Sequence, residues 1–428
     1  MLFLFATLLT IIFFLIYRFE ETVVVLAPMS VFLSMFVVPY TSMETVSFLD
    51  LIVCFVVVLF VLKGGVKKVI KNPFLICAIV VAISYFCSNK FGCEKHWMMS
   101  ITKLITSYVY PLVIWNCLNE KNKFDLYIKS MIVFAIVLVA YALFELVTNS
   151  NPIIEAGLRS NIFMNNVTLG DNIRFGVRRL QSFLHLYGAF GYTCSSIFLI
   201  LLYLKIHYPS KINIPDLFLY GLLGLLIVSI LCTGTRSVYL SYVVGLGIFY
   251  KKLKKYFTVV LILLPVVMLL FSMSSFIMDI AGSFSDTQNV EGSNSEMRGE
   301  QLVVTLYYWL QNPIFGNGPT FTFTTVQVVD PTILGAESIW FVLLIDYGLA
   351  GCLAFLVTLL IPIRYLINCG MPQFVFIVLM FLVNKTFSSV PGIFEGYFFI
   401  YLVFLIRLEQ YRKSVFVKKL SLLKSNGL

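Results

Sequence analysis

The feature that most constrains this chain is a succession of long apolar segments over most of its length. A helix that crosses a bilayer needs about 20 mainly apolar residues. The candidate segments lie near residues 2–17, 22–39, 48–62, 73–88, 97–117, 127–148, 182–204, 215–233, 237–250, 256–277, 338–361, 373–390 and 393–406. The first is short, which leaves open whether it spans, so we expect 12 or 13 transmembrane helices.

The composition excludes a soluble multidomain enzyme. Of the 428 residues, 60% are hydrophobic and only 12% are charged, whereas soluble domains carry about 25% charged residues. A soluble fold would have too little interior for the 41 Phe and 23 Tyr side chains. The sequence therefore predicts an all-α polytopic integral membrane protein, with a single membrane-embedded domain over residues 1–428.

Lysine and arginine are concentrated in alternate connections between the apolar segments. The clusters Lys63–Lys71 and Lys251–Lys255 fall on one side, together with the C-terminal tail from Arg407. Because cytoplasmic loops carry an excess of Lys and Arg, we expect this side and the C-terminus to face the cytoplasm. The opposite, periplasmic side then has a basic loop near 149–180 and a long acidic loop near 279–337.

Part of the acidic loop has a helical pattern. The apolar residues on one face of this stretch are Leu302, Leu306, Trp309 and Leu310. The pattern stops at Asn312-Pro313, because the residue before a proline disfavours the helical conformation. We expect an amphipathic helix near 298–311 that lies on the outer membrane surface.

Arginines on the non-cytoplasmic side are candidate binding residues. Arg236 lies in a short turn between two apolar segments, and Arg174, Arg178 and Arg179 cluster in the basic loop. A guanidinium presents a planar fork that matches two phosphate oxygens, which favours a phosphate-bearing ligand at the membrane edge. The alternatives are contacts with lipid headgroups and, for the basic loop, contacts with the acidic loop.

Three further ionisable residues are candidates for proton transfer or substrate contact. His185 lies where a segment begins, Glu337 lies where the acidic loop meets the next segment, and Asp346 falls inside that segment. A carboxylate at such a boundary is partly desolvated, which suits proton transfer, and a carboxylate inside a membrane is a functional candidate by default. Each could instead be a structural or an exposed residue. With 3 His and scattered Cys, we expect no metal site.

Short motifs follow one another in a recognisable order along the chain. They are Arg179-x-x-Ser-Phe-x-His185, Thr233-Gly-Thr-Arg-Ser237, Arg298 with Trp309, Pro313-Ile-Phe-Gly-Asn-Gly318, and Glu337 with Gly348-x-x-Gly351. This order resembles the O-antigen polymerase and O-antigen ligase superfamily (Wzy-type polymerases and WaaL-type ligases) of bacterial envelope polysaccharide assembly. The resemblance covers roughly residues 175–355.

The resemblance implies a GT-C-like glycosyltransferase in the bacterial inner membrane, with its active site at the periplasmic face and without a metal or other cofactor. Its donor would be a glycan on undecaprenyl diphosphate. Arg236 and Arg298 would hold the diphosphate, and Arg178 and Arg179 would assist. The expected partners are the lipid-linked donor and acceptor glycans, membrane lipid and a chain-length regulator protein, and not nucleic acid.

The residue at the end of the long loop bears on the reaction type. Ligases of this superfamily carry a His there, whereas this chain has Glu337, which weakens the ligase interpretation and favours a polymerase. We expect this polymerase to invert the anomeric carbon by direct displacement. Glu337 or His185 would act as the base, with Arg174 and Asp346 in secondary roles. The alternatives are an O-antigen ligase and a flippase or transporter of lipid-linked oligosaccharide.

Overall fold

The computed structural model describes residues 18–30, 48–159, 173–174, 177–184, 186–212, 214–250, 295–330, 338–387 and 397–425. Its α-helices are α1 (Phe19–Leu26), α2 (Phe48–Leu62), α3 (Val66–Ile70), α4 (Leu75–Phe91), α5 (Trp97–Leu104), α6 (Tyr110–Cys117), α7 (Lys121–Thr148), α8 (Pro152–Arg159), α9 (Tyr187–His207), α10 (Asp216–Leu231), α11 (Arg236–Gly245), α12 (Ser295–Gln311), α13 (Gln327–Val329), α14 (Ile339–Val342), α15 (Gly348–Asn368), α16 (Val375–Thr386) and α17 (Tyr397–Ser425). Turns of π-helix lie at Ile105–Val109, Thr322–Val326 and Leu343–Tyr347. Turns of 3-10 helix lie at Ala27–Met29, Pro209–Lys211, Leu246–Phe249 and Pro372–Phe374.

Several helices have the length and apolar character of membrane spans. Within the described ranges, three helical segments are long enough to cross a bilayer, namely Lys121–Thr148, Tyr187–His207 and the continuous segment Ile339–Asn368. Shorter apolar helices accompany them. A helical conformation suits a bilayer, because all its backbone N–H and C=O groups are hydrogen-bonded within the segment. The predicted class, an all-α membrane protein, is confirmed. The expected 12 or 13 spans stay a prediction, since the segments near 2–17 and 256–277 lie outside the described residues.

A short hairpin precedes α9 within the predicted basic loop. Strand β1 (Ile173–Arg174) pairs antiparallel with β2 (Val177–Arg178), and Ile173 stands opposite Arg178. The helix α8 also falls within this loop. The basic loop therefore contains regular secondary structure directly before the segment that carries Arg179.

Helices α11 and α16 pack closely against each other in antiparallel directions. A Cβ atom at Gly245 would lie 2.9 Å from the Met380 sulfur, and one at Gly247 would overlap the Phe376 ring. A larger residue at either position would have to displace these side chains, so the two glycines favour the close approach of the two helices. The antiparallel arrangement brings the start of α11 and the end of α16 to the same end of the bundle.

That end also receives the segment before α9. The Leu180 N–H donates to the Cys232 carbonyl at 2.9 Å, which joins this segment to the turn between α10 and α11. We call the end formed by residues 178–184, 232–236 and 384–386 the arginine end. Helices α9 and α11 both begin there.

A turn from the acidic loop fits into a break in the last long span. The Gly318 N–H donates to the Asp346 carbonyl at 3.1 Å, and the Ala350 N–H donates to the Ile314 carbonyl at 2.9 Å. Gly316 and Gly348 both have positive φ, 73° and 62°, which glycine adopts without steric cost. The motifs 313–318 and 348–351 therefore lie against each other.

Helix α12 covers the stretch predicted to be helical and begins three residues earlier. Its apolar residues Leu302, Leu306 and Leu310 are exposed, whereas Gln301 and Thr305 are buried against the protein. An uncovered apolar face of this kind suits contact with lipid. The position of α12 on the membrane surface stays a prediction.

Candidate functional site

Arg179 is fixed by contacts with the turn before α11. Its Nε donates to the Thr233 carbonyl and its Nη2 donates to the Thr235 hydroxyl, both at 2.9 Å. The guanidinium also lies over the Tyr187 ring, 4.1 Å from the ring centroid. Burial lowers the pKa of the Arg179 guanidinium, but its ordinary pKa is high enough that it stays charged at neutral pH. Two donors of this cation therefore fix the position of the turn that carries Arg236.

The turn that receives Arg179 is built from small polar residues. The Thr233 hydroxyl donates to the Ile230 carbonyl at 2.7 Å, and the Thr235 hydroxyl donates to the Thr233 carbonyl at 3.1 Å. Gly234 has a φ of 61°, which lets the chain reverse between α10 and α11. Arg236, which is half-buried, is the first residue of α11. The positive end of the helix dipole adds to its charge.

Arg178 lies on β2, next to Arg179, and is half-buried. Its Nε has no hydrogen-bond partner among the described residues. Its charge attracts that of Glu145 on α7. The structure places Arg174 on β1, opposite Val177. Arg178 thus joins Arg179 and Arg236 at the arginine end, and it retains a buried donor that a ligand could use.

A buried carboxylate holds the segment that carries these arginines. One oxygen of Glu145 accepts from the Gln181 N–H at 3.2 Å and from the Ser182 N–H at 2.7 Å. The Asn151 side-chain amide donates to the Ser182 carbonyl at 2.6 Å, and the Ser182 hydroxyl donates to the Leu138 carbonyl at 2.8 Å. Sequence reasoning missed Glu145, although an acid inside an apolar segment is the signal that could have revealed it.

Asp346 lies fully buried in the break of the last long span. Its carboxylate accepts from the Thr320 N–H at 3.1 Å, the Thr322 N–H at 2.8 Å and the Thr322 hydroxyl at 2.6 Å. These contacts occupy both oxygens and compensate for the burial of the group. They give Asp346 a role in shaping the turn that follows Gly318.

Residues 221–356 match the model of the O-antigen ligase family. The match supports the O-antigen ligase and polymerase superfamily. It does not distinguish polymerases from ligases. The matched range includes Arg236, Arg298 and Asp346, whereas Arg178 and Arg179 precede it. No curated protein matches the chain.

Of the other three candidate site residues, the structure describes Arg298 but not Glu337 or His185. Arg298 is half-buried in the first turns of α12, a helix that packs against α14 and the π-helical turn Leu343–Tyr347. Glu337 and His185, our two candidate bases, lie outside the described residues. The described chain resumes at Ser338, whose hydroxyl caps α14 by accepting from the Trp340 N–H at 3.4 Å.

The start of α14 lies beside the arginine end. The Trp340 indole N–H donates to the Thr386 hydroxyl at 3.2 Å, and Thr386 is the last residue of α16. The residue directly before Ser338 in the sequence is Glu337. In the ranges that the structure describes, no group of three or more His, Cys, Asp or Glu residues could hold a metal ion.

Proposed function

We propose that this protein is a membrane glycosyltransferase that polymerises oligosaccharide repeat units linked to undecaprenyl diphosphate, an O-antigen polymerase. The observation that carries the proposal is the pair of Arg179 hydrogen bonds that fixes the turn of Arg236, with Arg178 beside it. Three cations held together at one end of an apolar bundle suit a phosphate-bearing lipid. The family match supports a substrate of this kind.

The arginines would stabilise the leaving group. As the bond between the anomeric carbon and the diphosphate breaks, negative charge builds up on the diphosphate oxygens. Fixed cations in a site with little water stabilise such charge without having to reorganise. We assign the diphosphate contacts to Arg236 and Arg298, with Arg178 assisting, while Arg179 keeps Arg236 in place.

The reaction we propose is a direct displacement with inversion. A hydroxyl oxygen of the acceptor sugar attacks the anomeric carbon of the donor glycan, and undecaprenyl diphosphate leaves. A base accepts the proton of the attacking hydroxyl, and our candidates are Glu337 and His185. This chemistry requires no metal or other cofactor, because the arginines supply the positive charge.

We place the site at the periplasmic face of the bacterial inner membrane and the C-terminus in the cytoplasm. The distribution of lysine and arginine supports this orientation. The apolar helices support an integral membrane protein. A reporter enzyme fused after Ser285 tests the orientation. We expect the reporter to score as periplasmic, and a cytoplasmic result would contradict the proposed location of the site.

The alternative is an O-antigen ligase, the activity named in the description of the matching family. A ligase passes a finished glycan to another acceptor, whereas a polymerase extends a lipid-linked chain. The residue at the end of the acidic loop supports the polymerase, because this chain has Glu337 where the ligases have a His. The chain-length regulator protein is a proposed partner in the polymerase reaction only.

A product ladder tests the proposal. Purified protein is incubated with a synthetic undecaprenyl-diphosphate repeat unit and no other acceptor, and glycan lengths are measured by mass spectrometry. We expect lipid-linked dimers and longer chains from the parent, and their loss in Arg236→Ala and Glu337→Gln. No elongation with a verified repeat unit would contradict the polymerase; addition of lipid A core, or a transport assay, would then separate ligase from flippase.

A further inference from the structure

Two polar residues lie buried at the end of α16. Asn384 is 4% exposed and Lys385 is 5% exposed, although both follow a run of apolar residues. A lysine on a membrane helix usually extends its charge to the interface. Lys385 is buried instead, which keeps its charge inside the protein at this end of the helix.

Asn384 continues the face of α16 that packs on α11. Phe376, Met380 and Asn384 follow one another at intervals of four residues, which places them on one side of the helix. Phe376 meets Gly247 and Met380 meets Gly245. Because the two helices are antiparallel, Asn384 lies opposite the part of α11 that leads back towards Arg236.

Lys385 continues a different face of the same helix. Its Nζ lies 5.9 Å from the centroid of the Phe381 ring, one turn earlier. Phe381 in turn contacts Tyr192 on α9, with 6.3 Å between the ring centroids. The next residue, Thr386, accepts from the Trp340 indole. Lys385 therefore lies among α9, α16 and the start of α14, all of which reach the arginine end.

The Asn384 amide nitrogen has no hydrogen-bond partner among the described residues. A buried donor left unsatisfied destabilises the folded protein. The dipole at a helix C-terminus favours a cation such as Lys385, but it does not account for an unsatisfied amide donor beside it. A neutral donor and a cation together form a suitable environment for an anion.

We propose that Asn384 and Lys385 donate hydrogen bonds to the diphosphate of the lipid-linked substrate. They form a further part of the proposed binding site, in addition to Arg236, Arg298 and Arg178. This inference rests on the proposed function, because it assigns further ligands to the same diphosphate. It adds α16, which lies outside the residues matched by the family model.

The test measures the KM for the lipid-linked repeat unit and, separately, the binding of undecaprenyl diphosphate without a glycan to the full-length protein in nanodiscs. A hydrogen bond to a charged group contributes about 1.5–3 kcal/mol, and each 1.4 kcal/mol is about tenfold. We therefore expect Lys385→Met to raise the KM and the Kd at least about tenfold. Lys385→Arg keeps the charge and should stay within about threefold of the parent.

Two further variants keep the test decisive. Asn384→Asp conserves size and places a negative charge against the diphosphate, so it should weaken binding at least as much as Lys385→Met. Lys90→Met is the matched control, because Lys90 is an exposed lysine at the end of α4 and its loss should leave the KM and Kd unchanged. Undecaprenol, which lacks phosphate, should bind the parent and the Lys385→Met variant equally.

The outcomes separate the two proposals. A parent that elongates glycans while Lys385→Met and Asn384→Asp keep the parental KM and Kd overturns this inference and leaves the proposed function intact. A parent that neither elongates glycans nor binds undecaprenyl diphosphate overturns both. If Lys385→Met fails to fold, Asn384→Asp and Lys385→Arg decide the matter.

Discussion

Replacement of Arg179 by lysine separates the geometry of its guanidinium from its charge. Arg179 donates from two nitrogens to two acceptors, the Thr233 carbonyl and the Thr235 hydroxyl. A lysine ammonium is a single point at the end of a flexible chain, so it can satisfy one acceptor while the other loses its partner. The turn of Arg236 would then be held at one point instead of two.

The expected size of the effect follows from these contacts. One lost hydrogen bond from a charged group costs about 1.5–3 kcal/mol, which corresponds to about tenfold to a hundredfold. Arg179→Lys should lower kcat/KM for elongation by this factor. Arg179→Ala also loses the second hydrogen bond and the contact with Tyr187, a cation–π interaction that contributes about 0.5–2 kcal/mol. Arg179→Ala should therefore lower kcat/KM further than Arg179→Lys does.

The assay is the rate of elongation of the lipid-linked repeat unit over a range of substrate concentrations. Thermal unfolding in detergent is measured beside it to identify variants that fail to fold. Arg364→Lys is the matched control, because Arg364 is exposed near the opposite end of α15 and should tolerate the change. The reasoning is refuted if Arg179→Lys stays within twofold of the parent while Arg179→Ala is inactive, since Arg179 would then act through its charge alone.

Three other replacements test the surrounding structure. Glu145→Gln should lower kcat/KM about tenfold in the elongation assay, because it removes the charge that two backbone N–H groups bind; unchanged kinetics would contradict a positioning role. Gly348→Ala should lower the free energy of unfolding by about 1–3 kcal/mol and lower the midpoint of thermal unfolding, since the added Cβ would lie 2.6 Å from the Ile314 carbonyl oxygen. Gly221→Ala is the control, because Gly221 has open space around it and the midpoint should not change. Equal midpoints for the two variants would contradict the packing argument. Asp346→Asn should lower thermal stability and elongation together, because its oxygens accept three hydrogen bonds; a fully stable but inactive variant would make Asp346 a base instead.

The sequence was sufficient to predict the class of the fold. Long apolar segments predict membrane helices on physical grounds that hold for any chain in a bilayer. The alternation of basic connections put Arg178, Arg179 and Arg236 on the same side, and the structure brings them to one end of the bundle. The hydrogen bonds among them were not predictable, because they join residues 54 and 56 positions apart in the chain.

The position of Asp346 shows what a single sequence leaves open. Its place inside an apolar segment drew attention to it as a candidate functional group. Its partners Thr320 and Thr322 come from a turn 24 to 26 residues earlier, and no local pattern pairs them with it. The same holds for Glu145, whose partners lie 36 and 37 residues later in the chain.

The motifs that carry the resemblance have two different physical roles in this structure. The pair 313–318 and 348–351 interlocks through backbone hydrogen bonds and glycines of positive φ, so its residue types are set by space and conformation. The turn 233–237 instead holds Arg236 at the start of a helix, where Arg179 fixes it from outside. Substitutions in the first pair should therefore act mainly on stability, whereas substitutions in the turn should act mainly on diphosphate binding. A comparison of the thermal unfolding midpoint with the KM for the lipid-linked substrate distinguishes these effects. If substitutions in 313–318 or 348–351 raised the KM as much as substitutions in 233–237, the first pair of motifs would also contact the substrate.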